Sequence, residues 1–343
     1  MVFGRHSVSV SEDARIGHGH RNAREHTLID MPAAPTARRT APRQVEPINR
    51  HRRAEGRAGY VLVAPTAILL SVFYLWPLAQ TVVFSFTDWN PGTGRVTTSV
   101  GLANFAHVLT DPEFGRAVAN TLVYVVTVVP CSMALGLVFA ALLATPFRGR
   151  ALYRTMIFTP YIAPIVGSAL IFSFLLTPLG GLVNQFLGLF GVRPIAFLTT
   201  EPWAMVSVVV FSIWQLVGYT MIIYSAALTN VPQSYHEAAT LDGAGPIRRF
   251  FSISLPLVTP TSGFLAITGV IGSLQVFTQV YVLTGGGPLG STETVLYWIY
   301  QQGFVLFDGG SASAGAVLLL IFGIVASIVQ LTVISRRDAV ELS

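Results

Sequence analysis

The chain contains no lysine; all 21 basic residues among its 343 are arginine. A P-loop needs a lysine on the nucleotide phosphates and Schiff-base catalysis needs a lysine amine, so neither chemistry resides in this chain. If ATP drives the protein, a partner hydrolyses it. Cysteine is almost as scarce. Cys131 stands alone inside an apolar run, which excludes an intrachain disulfide and leaves the thiol without metal-ligating neighbours. Charged residues make up only 11% of the chain against 52% hydrophobic ones, with a mean hydropathy of +0.62. Such a balance belongs to a membrane protein.

Residues 1–57 are polar, rich in Arg, Pro, Ala and His, without sustained periodicity, and read as a disordered basic tail. His6, His18, His20 and His26 fit no regular metal spacing. Arg50, Arg52, Arg53 and Arg57 precede the first apolar run, which is far longer than a signal-peptide core and lacks a small-x-small cleavage site. Six runs then reach the roughly 20 apolar residues needed to cross a bilayer. They lie at about 59–86, 117–144, 154–176, 203–228, 257–284 and 312–335. The expected fold is an all-α integral membrane domain over 58–337, with a short C-terminal tail at 338–343. Alternating the connections collects the tail, Arg148, Arg150, Arg154, Arg248, Arg249, Arg336 and Arg337 on one side. The positive-inside rule makes that side, with both termini, cytoplasmic.

None of the six spans carries an Asp, Glu, Arg or His in its core. Intramembrane ionisable groups mark proton and ion pathways, so their absence argues against a proton-coupled carrier and an intramembrane acid–base or metal enzyme. Uncharged polar groups are present instead. Asn120, Tyr124 and Thr127 lie in the second span, Trp214, Gln215 and Tyr219 in the fourth, and Gln275, Gln279 and Tyr281 in the fifth. Amides in hydrocarbon need partners, which makes them either interhelical links or the lining of a wet pathway. Amides with aromatic rings suit a neutral polyol, and Asn120, Gln215, Tyr219, Gln275 and Gln279 are the pathway candidates. Pro130, Pro160 and Pro164 are expected to kink their helices.

Two connections stand out. Between the fourth and fifth spans, Val231–Pro260 reads as two short helices joined by a glycine turn. Ser234 and Glu237 have capping-box spacing, Gly243 ends the first helix, and Gly245-Pro246 opens a second that is expected to stop at Leu255-Pro256. On the other side, Gly285-Gly286-Gly287-Pro288 ends the fifth span. That tetrad reads as a plain helix stop or as backbone left bare for another protein to approach.

The loop also carries a motif: Glu237-Ala238-Ala239, three residues, Gly243, nine residues, then Ile253-x-Leu255-Pro256. It resembles the EAA motif of ABC importer permeases of the carbohydrate-uptake type, and the stretches Thr87–Asn90, Asp111–Tyr124 and Leu283–Thr294 are similar to the same family over about residues 60–336. The resemblance implies a non-catalytic permease in a bacterial cytoplasmic membrane, surrounded by lipid. It implies a second permease subunit as partner, two cytoplasmic ATPase subunits and an extracytoplasmic solute-binding protein. Glu237, Ala238, Ala239, Asp242 and Gly243 would form the coupling helix and its turn, flanked by Arg248 and Arg249, and Gly285–Pro288 would face the binding protein. No cofactor and no nucleic-acid partner is expected. The rival reading is a secondary carrier or channel for a small neutral solute, working without an ATPase.

Overall fold

The computed structural model describes residues 61–94 and 98–341, with side chains as far as Thr332; the tail expected at 1–57 lies outside the described residues. The chain divides between Val63 and Ala64, and the architecture below is essentially that of the second unit. It is helical, with an isolated antiparallel bridge between Thr87 and Ser99.

Helix α1 (Val61–Phe84) widens into a π-helical turn at Ser71–Leu75, just before Trp76-Pro77. Proline lacks an N–H and clashes with the carbonyl four residues back, and the wider turn relieves that clash without ending the helix. Short α2 (Ala103–Thr110) leads to α3 (Pro112–Leu142), whose first turn is capped by Asp111 Oδ1 accepting from the Glu113 amide at 2.9 Å. Then follow α4 (Arg150–Ile162), α5 (Ile165–Leu175), the short α6 (Leu182–Gly188) and the long α7 (Trp203–Thr229). The next elements are α8 (Gln233–Leu241), α9 (Pro246–Leu257), α10 (Thr259–Leu274), α11 (Thr278–Leu283), α12 (Val295–Tyr300) and α13 (Gly309–Glu341).

Among the described residues, helices α1, α3, α7 and α13 are each long and apolar enough to cross a bilayer, and there are six such spans if the bent pairs α4/α5 and α9/α10 each count as one. Helix α7 is the axis of the bundle, packed against α3 and α4. Close approach is built in where α7 crosses both. A Cβ on Gly218 would strike the Ile157 carbonyl and lie 2.8 Å from Phe158 Cα, and one on Gly136 would strike Thr220. Across the second crossing Thr220 Oγ1 donates to the Ser132 carbonyl at 2.8 Å. Tyr224, Phe211 and Met221 of α7 are fully or almost fully buried, whereas the most apolar stretch of α1 has no buried residue and turns its surface outward.

Each of the six apolar runs falls on one of these helices or bent pairs, with three differences. The run at 154–176 is not one kinked helix: Ala163 is extended, Pro164 starts α5, and the two helices meet at 101°. A residue before proline is pushed out of the helical region, so Pro164 breaks the span rather than bending it. The second helix of the polar loop does not stop at Leu255-Pro256. A π-helical turn at Phe250–Ser254 carries it through Pro256, as in α1, and the break falls at Val258 with a 62° bend. The fifth span stops at Leu274, not 284, and Gln275–Phe277 separate α10 from α11.

Candidate functional site

The loop between α7 and α10 is built as two short helices and a turn. Helix α8 begins at Gln233 with Pro232 in the cap position and no side-chain cap bond, so the expected Ser234–Glu237 capping box does not form. Extended Pro232 starts the helix two residues early and leaves Ser234 inside its first turn. Gly243 closes it at φ +74°, with the Gly243 amide donating to the Thr240 carbonyl at 3.0 Å and the Ala244 amide to the Ala239 carbonyl at 2.9 Å. This pair of bonds is a Schellman motif, which requires the left-handed residue. Gly245 then caps α9 ahead of Pro246. Arg249 Nη1 donates to Thr240 Oγ1 at 2.8 Å and ties the two helices together.

No side chain from Gln233 to Arg249 is buried. Glu237, Ala238, Asp242 and Arg248 are exposed and Ala239 is half-buried. Tyr235, Leu241, Ile247 and Phe251 show half or more of their surface, with Leu241 at 91%. An ordered polar loop that presents such apolar tips offers a surface for another protein.

Inside the bundle lies a cavity of about 630 Å³, between α3, the α4/α5 break, α7 and α10. Gln215, Tyr219 and Gln279 line it; Asn120 and Gln275 do not. Tyr124 lines it too, and further polar lining comes from Ser132, Tyr161, Ser212, Thr220, Thr268 and Ser273, none of which the sequence marked as a pathway residue. The Ser212 and Thr268 hydroxyls donate to the Val208 and Phe264 carbonyls of their own helices, at 2.7 and 2.9 Å. Serine and threonine on apolar helices were the available signal, because such back-bonding lets a hydroxyl sit in a membrane helix with its lone pairs free to accept. Tyr161 stacks on Tyr219 with ring centroids 5.0 Å apart. Among the described residues, no Asp, Glu, Arg or His lines the cavity.

Asn120 has a different place. Its amide donates to the Gly290 and Glu293 carbonyls, each at 2.9 Å, while Arg116 Nη1 donates to the Leu289 carbonyl at 2.8 Å. Together they stitch the glycine-rich loop after α11 to the first turns of α3. Gly285 and Gly286 have positive φ, and Tyr297 Oη donates to the Gly285 carbonyl at 2.8 Å. Beside the loop is a recess of about 360 Å³ lined by Glu113, Gly285–Gly287, Glu293, Tyr297 and Gln301, among others. Partial burial, with Glu113 and Asp111 nearby, pushes the Glu293 carboxyl up to about 7 against the opposing pull of Arg116.

Comparison with known proteins adds the following. Residues 132–338 match the family described as binding-protein-dependent transport system inner membrane component. The chain is 34% identical over 280 residues to the sn-glycerol-3-phosphate transport system permease protein UgpA of Pectobacterium atrosepticum, an alignment covering 81% of this chain and 94% of that one. It is 35% identical to UgpA of Salmonella typhimurium, with the same coverage. Among solved structures, a bacterial ABC transporter involved in import of the acidic polysaccharide alginate superposes with a TM-score of 0.75 at 22% identity, over 84% of this chain and 99% of that chain. A complex of the bacterial alginate transporter with a pentasaccharide-bound periplasmic protein gives 0.74 at 22% identity, over 82% and 94%.

Proposed function

The chain belongs to the family of binding-protein-dependent transport system inner membrane components, and from that premise we propose that it forms half of an import pathway for a neutral sugar or related polyol. The observation that carries the substrate class is the cavity: amides, hydroxyls and stacked tyrosines surround it and no charged side chain lines it. The UgpA relatives are named for an anionic cargo, sn-glycerol-3-phosphate. A phosphate inside this cavity would meet no arginine, and an uncompensated dianion in so apolar a setting is costly. A neutral polyol loses little, because its hydroxyls pair with Gln215 and Gln279 and its C–H faces lie on Tyr161 and Tyr219.

Coupling belongs to the loop Gln233–Arg249. Glu237, Ala238, Ala239, Asp242 and Gly243 dock on a cytoplasmic ATPase subunit, with Arg248 and Arg249 as flanking charge. A second permease completes the pathway, and two ATPase subunits serve the pair. The outer glycine loop, Gly285–Pro288, receives a solute-binding protein, a part that gains support from the periplasmic protein bound to the alginate transporter. The protein itself has no catalytic residue in this scheme. Closure of the ATPases draws the coupling loops together, tilts the spans and opens the cavity outward, and hydrolysis resets it.

Mild-detergent purification followed by mass spectrometry of the accompanying chains tests the assembly, and uptake of labelled solutes tests the cargo. Recovery of a P-loop ATPase and a second permease, with uptake of a neutral sugar that glycerol phosphate does not compete for, is the expected result. Uptake of glycerol phosphate alone would overturn the substrate class.

A further inference from the structure

The recess at the glycine loop differs in chemistry from the bundle cavity. Two carboxylates line it, Glu113 in the first turn of α3 and Glu293 between the glycine loop and α12, and among the described residues no basic side chain does. Burial and the neighbouring Glu113 carboxylate both push the Glu293 carboxyl up, to about 7, so the recess lacks a counter-charge of its own. Arg116 does not supply one. Its Nη1 donates to the Leu289 carbonyl at 2.8 Å, and it stands on one side of Gly290 with Glu293 on the other. A Cβ on Gly290 would lie 3.1 Å from Arg116 Nη1 and 3.3 Å from Glu293 Oε2.

A second wall comes from the π-helical turn Gln301–Val305, which continues α12 and sets two consecutive amides, Gln301 and Gln302, on the recess. Gln301 Nε2 donates to Tyr297 Oη at 2.7 Å, which leaves its amide oxygen to accept. Gln302 is only 9% exposed, yet its side-chain amide has no hydrogen-bond partner among the described residues. A buried amide without a partner weakens the fold, and an apolar side chain of similar shape there would strengthen it. The recess therefore offers carboxylates and amide oxygens with nothing to donate to them. Its complement is a donor-rich cation, a guanidinium or an ammonium on a flexible stem. A bare divalent ion fits less well, since no group of three or more His, Cys, Asp or Glu among the described residues is placed to hold one.

We propose that the recess is a socket for one arginine or lysine side chain of the solute-binding protein, whose charge pairs with Glu113 and Glu293 and whose N–H groups are accepted by Gln301 and Gln302. The inference rests on the reading of Gly285–Pro288 as the segment that receives that protein. Gly285, Gly286 and Gly287 line the same recess, so a partner backbone settling on them carries its side chain into the socket. Exposed Glu113 steers the incoming charge, and half-buried Glu293 holds it.

The test uses the complete transporter in nanodiscs with its purified solute-binding protein, measuring affinity and ATP hydrolysis with and without that protein. Absence of both binding and stimulation in the wild type overturns the docking reading and the socket with it. Where the wild type binds, Glu113→Gln/Glu293→Gln is expected to lower the affinity about tenfold and to flatten its decline with added salt. ATP hydrolysis without the binding protein should stay unchanged. Gln302→Leu is expected to raise the melting temperature of the permease while weakening the affinity about threefold, a pairing that a purely structural glutamine does not give; it serves alone if the double variant fails to accumulate. Replacing the basic residues of the binding protein by glutamine, one at a time, should reveal one whose penalty disappears against the double-glutamine transporter. Wild-type affinity and salt dependence in these variants overturn the socket and leave the docking reading intact. Binding that a chelator abolishes and calcium restores also overturns it, because the recess would then hold a metal ion.

Discussion

Gly243 is the residue on which the loop between α8 and α9 turns. Its φ of +74° belongs to a region that costs a β-branched residue about 1–2 kcal/mol or more, yet there is open space around its Cα. Gly243→Val is therefore expected to insert and accumulate normally while uptake falls at least tenfold, with Gly243→Asn much milder because asparagine tolerates the left-handed region. Uptake measured at equal membrane abundance checks this, and full activity of the valine variant would sink the coupling assignment. In the glycine-rich loop after α11, Glu293 carries the second residue-scale prediction. Its carboxyl titrates near 7 in the fold against an ordinary value of 4.5, so the folded loop binds the proton more tightly than the unfolded chain does. The seating of the loop should be firmest below about pH 4.5 and weaken as pH rises to about 7, with no further loss above. Hydrogen exchange over residues 285–293 at pH values spanning about 4 to 8, corrected for intrinsic rates, should show that loosening, and Glu293→Gln should abolish it. Asn120→Ala removes two bonds worth about 1 kcal/mol each and should raise exchange over the same stretch roughly tenfold or more. Sequence reading made Asn120 a pathway candidate and could not show its carbonyl partners, because they lie 170 or more positions away.

At the scale of elements, hydrophobic runs revealed the spans because bilayer thickness sets their length, and α1, α7 and α13 begin and end within a few residues of expectation. The breaks were less legible. A proline in an apolar run can bend a helix, as anticipated for Pro164, or be absorbed by a π-helical turn, as at Pro77 and Pro256; which occurs depends on the neighbours that stabilise the widened turn. The stop at Leu274 has no glycine or proline to announce it, only Gln275, which carries a helix-compatible side chain. Likewise, a capping box is a local signal, and Pro232 overrode it by starting α8 earlier. The α4/α7 crossing gives a prediction at this scale. Gly218→Leu places a branched side chain against the backbone of Ile157 and Phe158, which cannot yield as a flexible side chain would. The variant should fail to accumulate or lose several degrees of thermal stability in detergent, whereas a leucine at open Gly167 should cost far less.

Across the whole molecule, the parts lie in an order that suits a transducer. The loop between α7 and α10 exposes Leu241, Ile247 and Phe251, the bundle holds a cavity without charged lining among the described residues, and the glycine loop is stitched to α3 by Arg116 and Asn120. What the sequence alone could not show was which polar residues face one another, because Gln215 and Gln279 meet around a cavity only once α7 and the α10–α11 break are packed. The most direct measurement is solute uptake by the purified assembly in liposomes, with ATP enclosed and the binding protein added outside. The account predicts uptake of a neutral sugar that needs ATP, the binding protein and an intact Gly243. Uptake by this chain alone on an ion gradient, without ATP or the binding protein, would contradict it.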